Sequence, residues 1–153
     1  MEKVEEKLLN IVRSSRLNEN EVEYFEEHVK DYPTLWGNYY LWSVESHNYQ
    51  CSKCILESGF ELNTDGQVRR EVKSSFEFFK RDYVKKIIED GFVLDEQLMN
   101  EIQNNSSLNI FDNELYNEVV MNERKKKLIK IMHKIKNNSK NNNYISGHLA
   151  VAV

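Results

Sequence analysis

Proline is almost absent from this chain, with a single residue at position 33, and glycine is scarce, with five residues. A loop-rich all-β fold draws on both to turn its strands, so the scarcity predicts helices. Cysteine occurs only at 51 and 54, too few for the disulfide framework of a small secreted domain. No apolar run approaches the roughly 18 residues that a membrane-spanning helix needs. The opening Met1-Glu-Lys-Val-Glu-Glu also lacks the apolar segment of an export signal, so a reducing, intracellular home is expected. What is present suits a folded chain. Hydrophobic residues make up 40% and aromatics 11% of 153 residues, enough for one domain with its own core.

The net charge of −4 hides an asymmetry. Residues 1–123 hold all 25 acidic side chains and 13 of the 21 basic ones, a balance of −12, whereas residues 124–153 hold the other eight basic residues and no acid. An acidic body therefore carries a basic tail, which suits nucleic acid or an acidic partner and equally suits a solvated helix face.

One stretch occurs twice. Lys53-Cys-Ile-Leu-Glu-Ser-Gly-Phe-Glu-Leu-Asn63 is echoed further along the chain by Lys85-Lys-Ile-Ile-Glu-Asp-Gly-Phe-Val-Leu-Asp95. Recurrence at a period of roughly 20 to 50 residues marks a stacked repeat array. Ile55, Gly59 and Leu62, and again Ile87, Gly91 and Leu94, recur at spacings of three and four, which places them on one helix face. Glycine inside a helix costs about 1 kcal/mol against alanine. Its recurrence predicts close approach of a neighbouring helix.

In chain order, Val4, Leu8, Ile11 and Val12 predict a first helix ending near Leu17. Asn18 and Asn20 are capping candidates for a second, which carries Val22, Phe25 and Val29 inward and stops at Tyr32-Pro33. A third opens near Thr34 with Trp36, Tyr39, Tyr40, Leu41 and Trp42 as its inner, anchoring face. His47-Asn-Tyr-Gln50 turns the chain into the first copy of the repeated segment, and Asn63-Thr-Asp-Gly66 breaks it. Val68, Val72, Phe76 and Phe79 mark a fifth helix and the second copy a sixth. Asp95 caps a seventh with Leu98, Met99 and Ile102, and Asn104-Asn-Ser-Ser107 reads as a linker. From Phe111 to about Ile135 a long helix runs with acids early and lysines late, as the helix dipole favours. The domain is thus expected over 1–136, with 137–153, including the polar Asn137-Asn-Ser-Lys-Asn-Asn-Asn-Tyr144, as a poorly ordered tail.

The third and fourth helices together resemble the half-a-tetratricopeptide (HAT) repeat. Trp36, Tyr39 and Trp42 match the aromatic residues of its first helix, and Ser52-Lys53-Cys-Ile55-Leu56-Glu57-Ser-Gly59-Phe60 is similar to its second. Tyr24-Phe25-Glu26-Glu-His-Val29 with Pro33 resembles the second helix of an earlier repeat, whereas Val68 and Glu71 stand where the next repeat wants its aromatics. The resemblance spans about residues 20–95. It implies an all-α fold, a short right-handed stack of antiparallel helical hairpins of HAT/TPR-like type with a long C-terminal helix. It also implies a non-enzymatic protein-interaction scaffold of RNA-processing assemblies, in splicing or messenger 3′-end formation, that dimerises in several members.

Motifs of chemistry are few. Cys51-x-x-Cys54 with His47 supplies at most three of the four ligands of structural zinc, and His28, His133 and His148 stand at no metal-ligand spacing; two helix cysteines are the expectation. Glu45, Glu57 and Glu89 read as solvent-facing carboxylates. No Ser-His-Asp order, phosphate loop or paired-carboxylate arrangement suggests catalysis or a cofactor. Tyr40 is expected to be the exposed aromatic of helix three and a partner or nucleobase contact. Arg124, Lys125, Lys126, Lys127, Lys130 and Lys134 are the candidates for binding RNA or an acidic surface, set against a terminal cap packed through the interleaved Leu128, Ile129, Ile131, Met132 and Ile135. Two functions follow as alternatives. One is the RNA-processing scaffold, which predicts a nuclear location. The other is a small helical pathogen or viral factor that binds a host protein without an RNA role, which predicts the cytoplasm. Neither involves a membrane.

Overall fold

The computed structural model describes residues 3–104 and 112–152, with the backbone alone for 139–152. Eight α-helices and two 3-10 turns account for its regular structure, and the described residues contain no strand. The chain divides into two compact units, Met1–Asp112 and Asn113–Val153.

Local chemistry explains where the helices begin and end. Helix α1, Val4–Arg13, buries Leu8, Ile11 and Val12 and stops at Ser14, whose backbone is extended, rather than near Leu17. Asn18 accepts the Glu21 amide at 2.8 Å and so starts α2, Glu19–His28. Proline at 33 cannot donate a helix hydrogen bond. The chain there breaks into 3-10 turns at Val29–Asp31 and Pro33–Leu35 before α3, Trp36–Glu45, and α4, Tyr49–Glu57. Asp65 opens α5, Gly66–Glu77, by accepting the Val68 amide at 2.9 Å. Helix α6, Arg81–Glu89, is followed by α7, Glu96–Asn104, which Asp95 caps through the Leu98 amide at 2.7 Å. Helix α8, Asn113–Ala152, is one continuous element. It passes through the polar run of residues 137–144. The expected linker after Asn104 lies outside the described residues.

Helices α1 and α2, α3 and α4, and α5 and α6 pack as pairs. The first helices also touch in sequence, α1 on α3, α3 on α5 and α5 on α7, while α2 touches α4. Their registers match. The step along the chain from Val4 to Trp36 and from Arg13 to Glu45, the two ends of α1 and α3, equals that from Tyr49 to Arg81 and from Glu57 to Glu89, the two ends of α4 and α6. Leu8, Tyr40 and Val72 are buried at that same step, as are Val12, Val44 and Phe76.

The ends of the helices repeat too. After α4, the Phe60 amide donates to Ile55 O and the Gly59 amide to Leu56 O; after α6, Phe92 donates to Ile87 O and Gly91 to Ile88 O, at 3.0 to 3.3 Å. Both are Schellman closures, which need a left-handed residue directly past the cap. Gly59 and Gly91 supply it, with φ of 108° and 112°. This corrects the expected role of the two glycines. They stand just outside their helices, and a Cβ added to either would meet nothing within 4 Å, so backbone conformation and not close helix approach accounts for them. The close-approach glycine is Gly37 in α3, where a Cβ would stand 2.8 Å from the carboxylate of Asp65.

Candidate functional site

Tyr40, expected at the surface, is fully buried. Its hydroxyl donates to Asp90 Oδ2 at 2.6 Å, the ring of Phe60 lies 5.5 Å from its own, and burial followed by the Asp90 interaction pushes the phenol pKa well up. Lys86 Nζ stands 3.1 Å from the other Asp90 oxygen. The residue therefore fastens α3 to the end of α6, and a partner cannot reach it. Helical spacing alone could not separate Tyr40 from Trp42, because residues on both sides of α3 have neighbours.

A cleft of about 500 Å³ lies between the polar faces of α3 and α5, lined by Asn38, Leu41, Trp42 and Glu45 from one helix and Gln67, Arg70, Glu71 and Ser74 from the other, with Tyr83 of α6 beside them. Trp42 is half-buried, and the Arg13 guanidinium of α1 lies 4.4 Å above its ring. Tyr83 sits with its ring 5.4 Å from Lys80 Nζ. Its phenol pKa is raised by burial first and then by Glu71 and Glu45, one carboxylate from each wall of the cleft. An indole, a phenol, a guanidinium and two carboxylates around an open hollow suit a polypeptide with mixed polar and apolar side chains. Glu45 pairs with Lys80 at 3.9 Å, and Glu57 and Glu89 pair within their own turns at 3.8 and 3.9 Å. These contacts are long and exposed, and pairs of that kind add little stability.

The candidate basic residues Arg124, Lys125, Lys126, Lys127, Lys130 and Lys134 are all exposed along α8. Leu128, Ile129, Ile131, Met132 and Ile135 are exposed with them. Cys51 is buried and Cys54 partly so. Burial pushes the Cys51 thiol up to about 12 and raises that of Cys54, the reverse of what thiolate chemistry requires. Among the described residues no three histidine, cysteine or carboxylate side chains are grouped to hold a metal.

Sequence reasoning missed three residues that build this region. Asn48 caps α4 through the Cys51 amide and donates from Nδ2 to Ile11 O at 2.9 Å, tying α4 to α1. Asn63 donates to Gly91 O at 3.2 Å and accepts the Val93 amide at 2.7 Å, which joins the loop after α4 to the loop after α6. Arg81 clamps the buried carboxylate of Asp112 through Nε at 2.6 Å and Nη2 at 2.9 Å. Only Asn48 carried a local signal, an asparagine directly before a helix. Among the described residues the fold is all-helical, three pairs of helices followed by a seventh helix and a long eighth. The chain matches no family model, no curated protein and no solved structure.

Proposed function

We propose that the chain is a non-enzymatic protein-interaction scaffold, a short array of antiparallel helical hairpins whose first helices offer the α3–α5 cleft to a partner. The observation that carries this is the recurrence of helix ends at one step. His47 and Phe79, with φ of 59° and 57°, are separated by the same stretch of chain as Gly59 and Gly91. The Asn48 amide reaches Ser43 O as the Lys80 amide reaches Ser75 O. Backbones that turn alike at the same interval belong to one repeating unit, and such units bury a continuous core while leaving one helix face free to vary. That face carries Asn38, Trp42 and Glu45 in α3 and Arg70, Ser74 and Glu77 in α5.

The aromatic set Trp36, Tyr39 and Trp42 supports the HAT-like form and with it an RNA-processing assembly. The pairing of Asn63 with the backbone on both sides of Phe92 favours a second form of the same scaffold. There the unit is a turn followed by two short helices, in the manner of ankyrin-type arrays of period about 33, and no RNA role follows. Affinity capture from cells of the source organism separates the two. The HAT reading predicts ribonucleoprotein components with the wild-type chain and their loss with the double variant Trp42→Ala, Arg70→Glu, whose helicity is checked by circular dichroism. Absence of such components, or equal recovery with the variant, counts against it.

A further inference from the structure

Two of the four matching helix ends break the rule that the other two obey. A left-handed residue past a helix end suits glycine because a Cβ crowds the backbone there, yet the ends of α3 and α5 place histidine and phenylalanine at that position. Phe79 is not buried in return. It is 51% exposed, and Phe78 beside it is 69% exposed. With Tyr49, also exposed, Phe79 borders a hollow of about 250 Å³ lined by the acidic Glu45 and Asp82 and by the basic Lys80 and Arg81. An uncovered aromatic edge held in a costly conformation marks a surface kept for contact.

A second uncovered surface lies on α8. Met121, Leu128, Ile131, Met132 and Ile135 are all exposed, and the last four follow i, i+3, i+4, i+7, one apolar stripe on a helix. Seven basic residues and no acid stand between Arg124 and Lys136, while residues 1–112 hold 22 acidic against 13 basic side chains, a balance of −9.

We propose that these surfaces meet between copies of the chain, the α8 stripe of one molecule docking on the Phe78–Phe79 edge of another with its lysines toward the acidic unit. Opposite charge selects this arrangement over two α8 helices side by side, which would set lysines against lysines. It stands independently of the repeat-scaffold reading. Sedimentation equilibrium of the full chain tests it. The average mass should rise with concentration and fall as salt is raised, since surface charge is screened. Phe78→Ser with Phe79→Gly should weaken association by about tenfold, as loss of a central aromatic anchor does. Phe79→Gly alone relieves the left-handed backbone and so keeps or raises the melting temperature, which separates lost docking from lost folding. Lys125→Gln, Lys134→Gln and Lys136→Gln together should weaken association and flatten its salt dependence. A chain that stays monomeric at every concentration, including one that binds anionic vesicles or RNA instead, overturns the proposal, as does association unchanged by the phenylalanine variants.

Discussion

At the scale of single residues, four positions past helix ends and one capping carboxylate set the local backbone. Gly59 and Gly91 are required by their positive φ and not by space. Replacing either by alanine should cost about 1–2 kcal/mol, the penalty of an L side chain in the left-handed region. Asparagine, which tolerates that region, should cost less than alanine although it is larger. Chemical denaturation of the four single variants checks this, and a ranking by side-chain size would restore the crowding explanation. Asp95 accepts both Arg69 nitrogens, at 2.8 and 2.9 Å. That pairing, followed by the Leu98 amide, lowers its pKa from the ordinary 3.8 to about 2. A depressed carboxylate adds stability that is present above the unfolded pKa and is lost as pH falls through the folded one. The stability difference between wild type and Asp95→Asn, which keeps the cap, should therefore shrink between about pH 4 and pH 2. Because Asp95 is half exposed, solvent screening keeps that difference small. A difference constant over this window would deny the Arg69 pairing.

At the scale of elements, the loops between pairs matter as much as the helices. Asn63 satisfies an amide and a carbonyl of the next loop, and Asn63→Ala should cost about 1 kcal/mol, the usual net worth of such a bond. Hydrogen exchange should show the Val93 amide losing protection in that variant before the α6 amides do; unchanged protection would mean that the link is not made in solution. Much at this scale is legible in the sequence. The caps at Asn18 and Asp95, the breaks at Pro33 and Asp65-Gly66 and the inward valines of α5 follow from side-chain chemistry and periodicity. Other features escape it, for physical reasons. A glycine three or four residues beyond a buried isoleucine has the same spacing whether it lies in the last turn or just past it, so Gly59 and Gly91 look internal. Phe79 continues the stripe of α5 in spacing while its backbone has already left the helix. Asparagine-rich sequence has low helix propensity, which is why the far half of α8 reads as a tail.

At the scale of the whole molecule, the doubling visible in residues 53–95 belongs to a step that α1 and α3 share at both ends, as α4 and α6 do. That step stays hidden because side chains at matching positions differ. Leu8, Tyr40 and Val72 share one buried station with a different residue type in each place, and Trp36 and Val68 differ likewise at the same step. The candidate cleft is less legible still. Trp42 can be named from the sequence, but its partners Arg70, Glu71 and Tyr83 lie on other helices, and only their packing gathers them.

If the chain is an array, it should accept one more unit. Inserting a second copy of residues 64–95 directly after position 95, with Asp95→Asn at the new junction to reproduce Asn63, provides the most direct measurement. Circular dichroism during thermal unfolding should show helical signal rising in step with length and a single transition at or above the parent melting temperature, because each added repeat contributes an interface. A chain that instead loses cooperativity, or leaves the inserted residues non-helical, would contradict the repeating unit and the scaffold built on it.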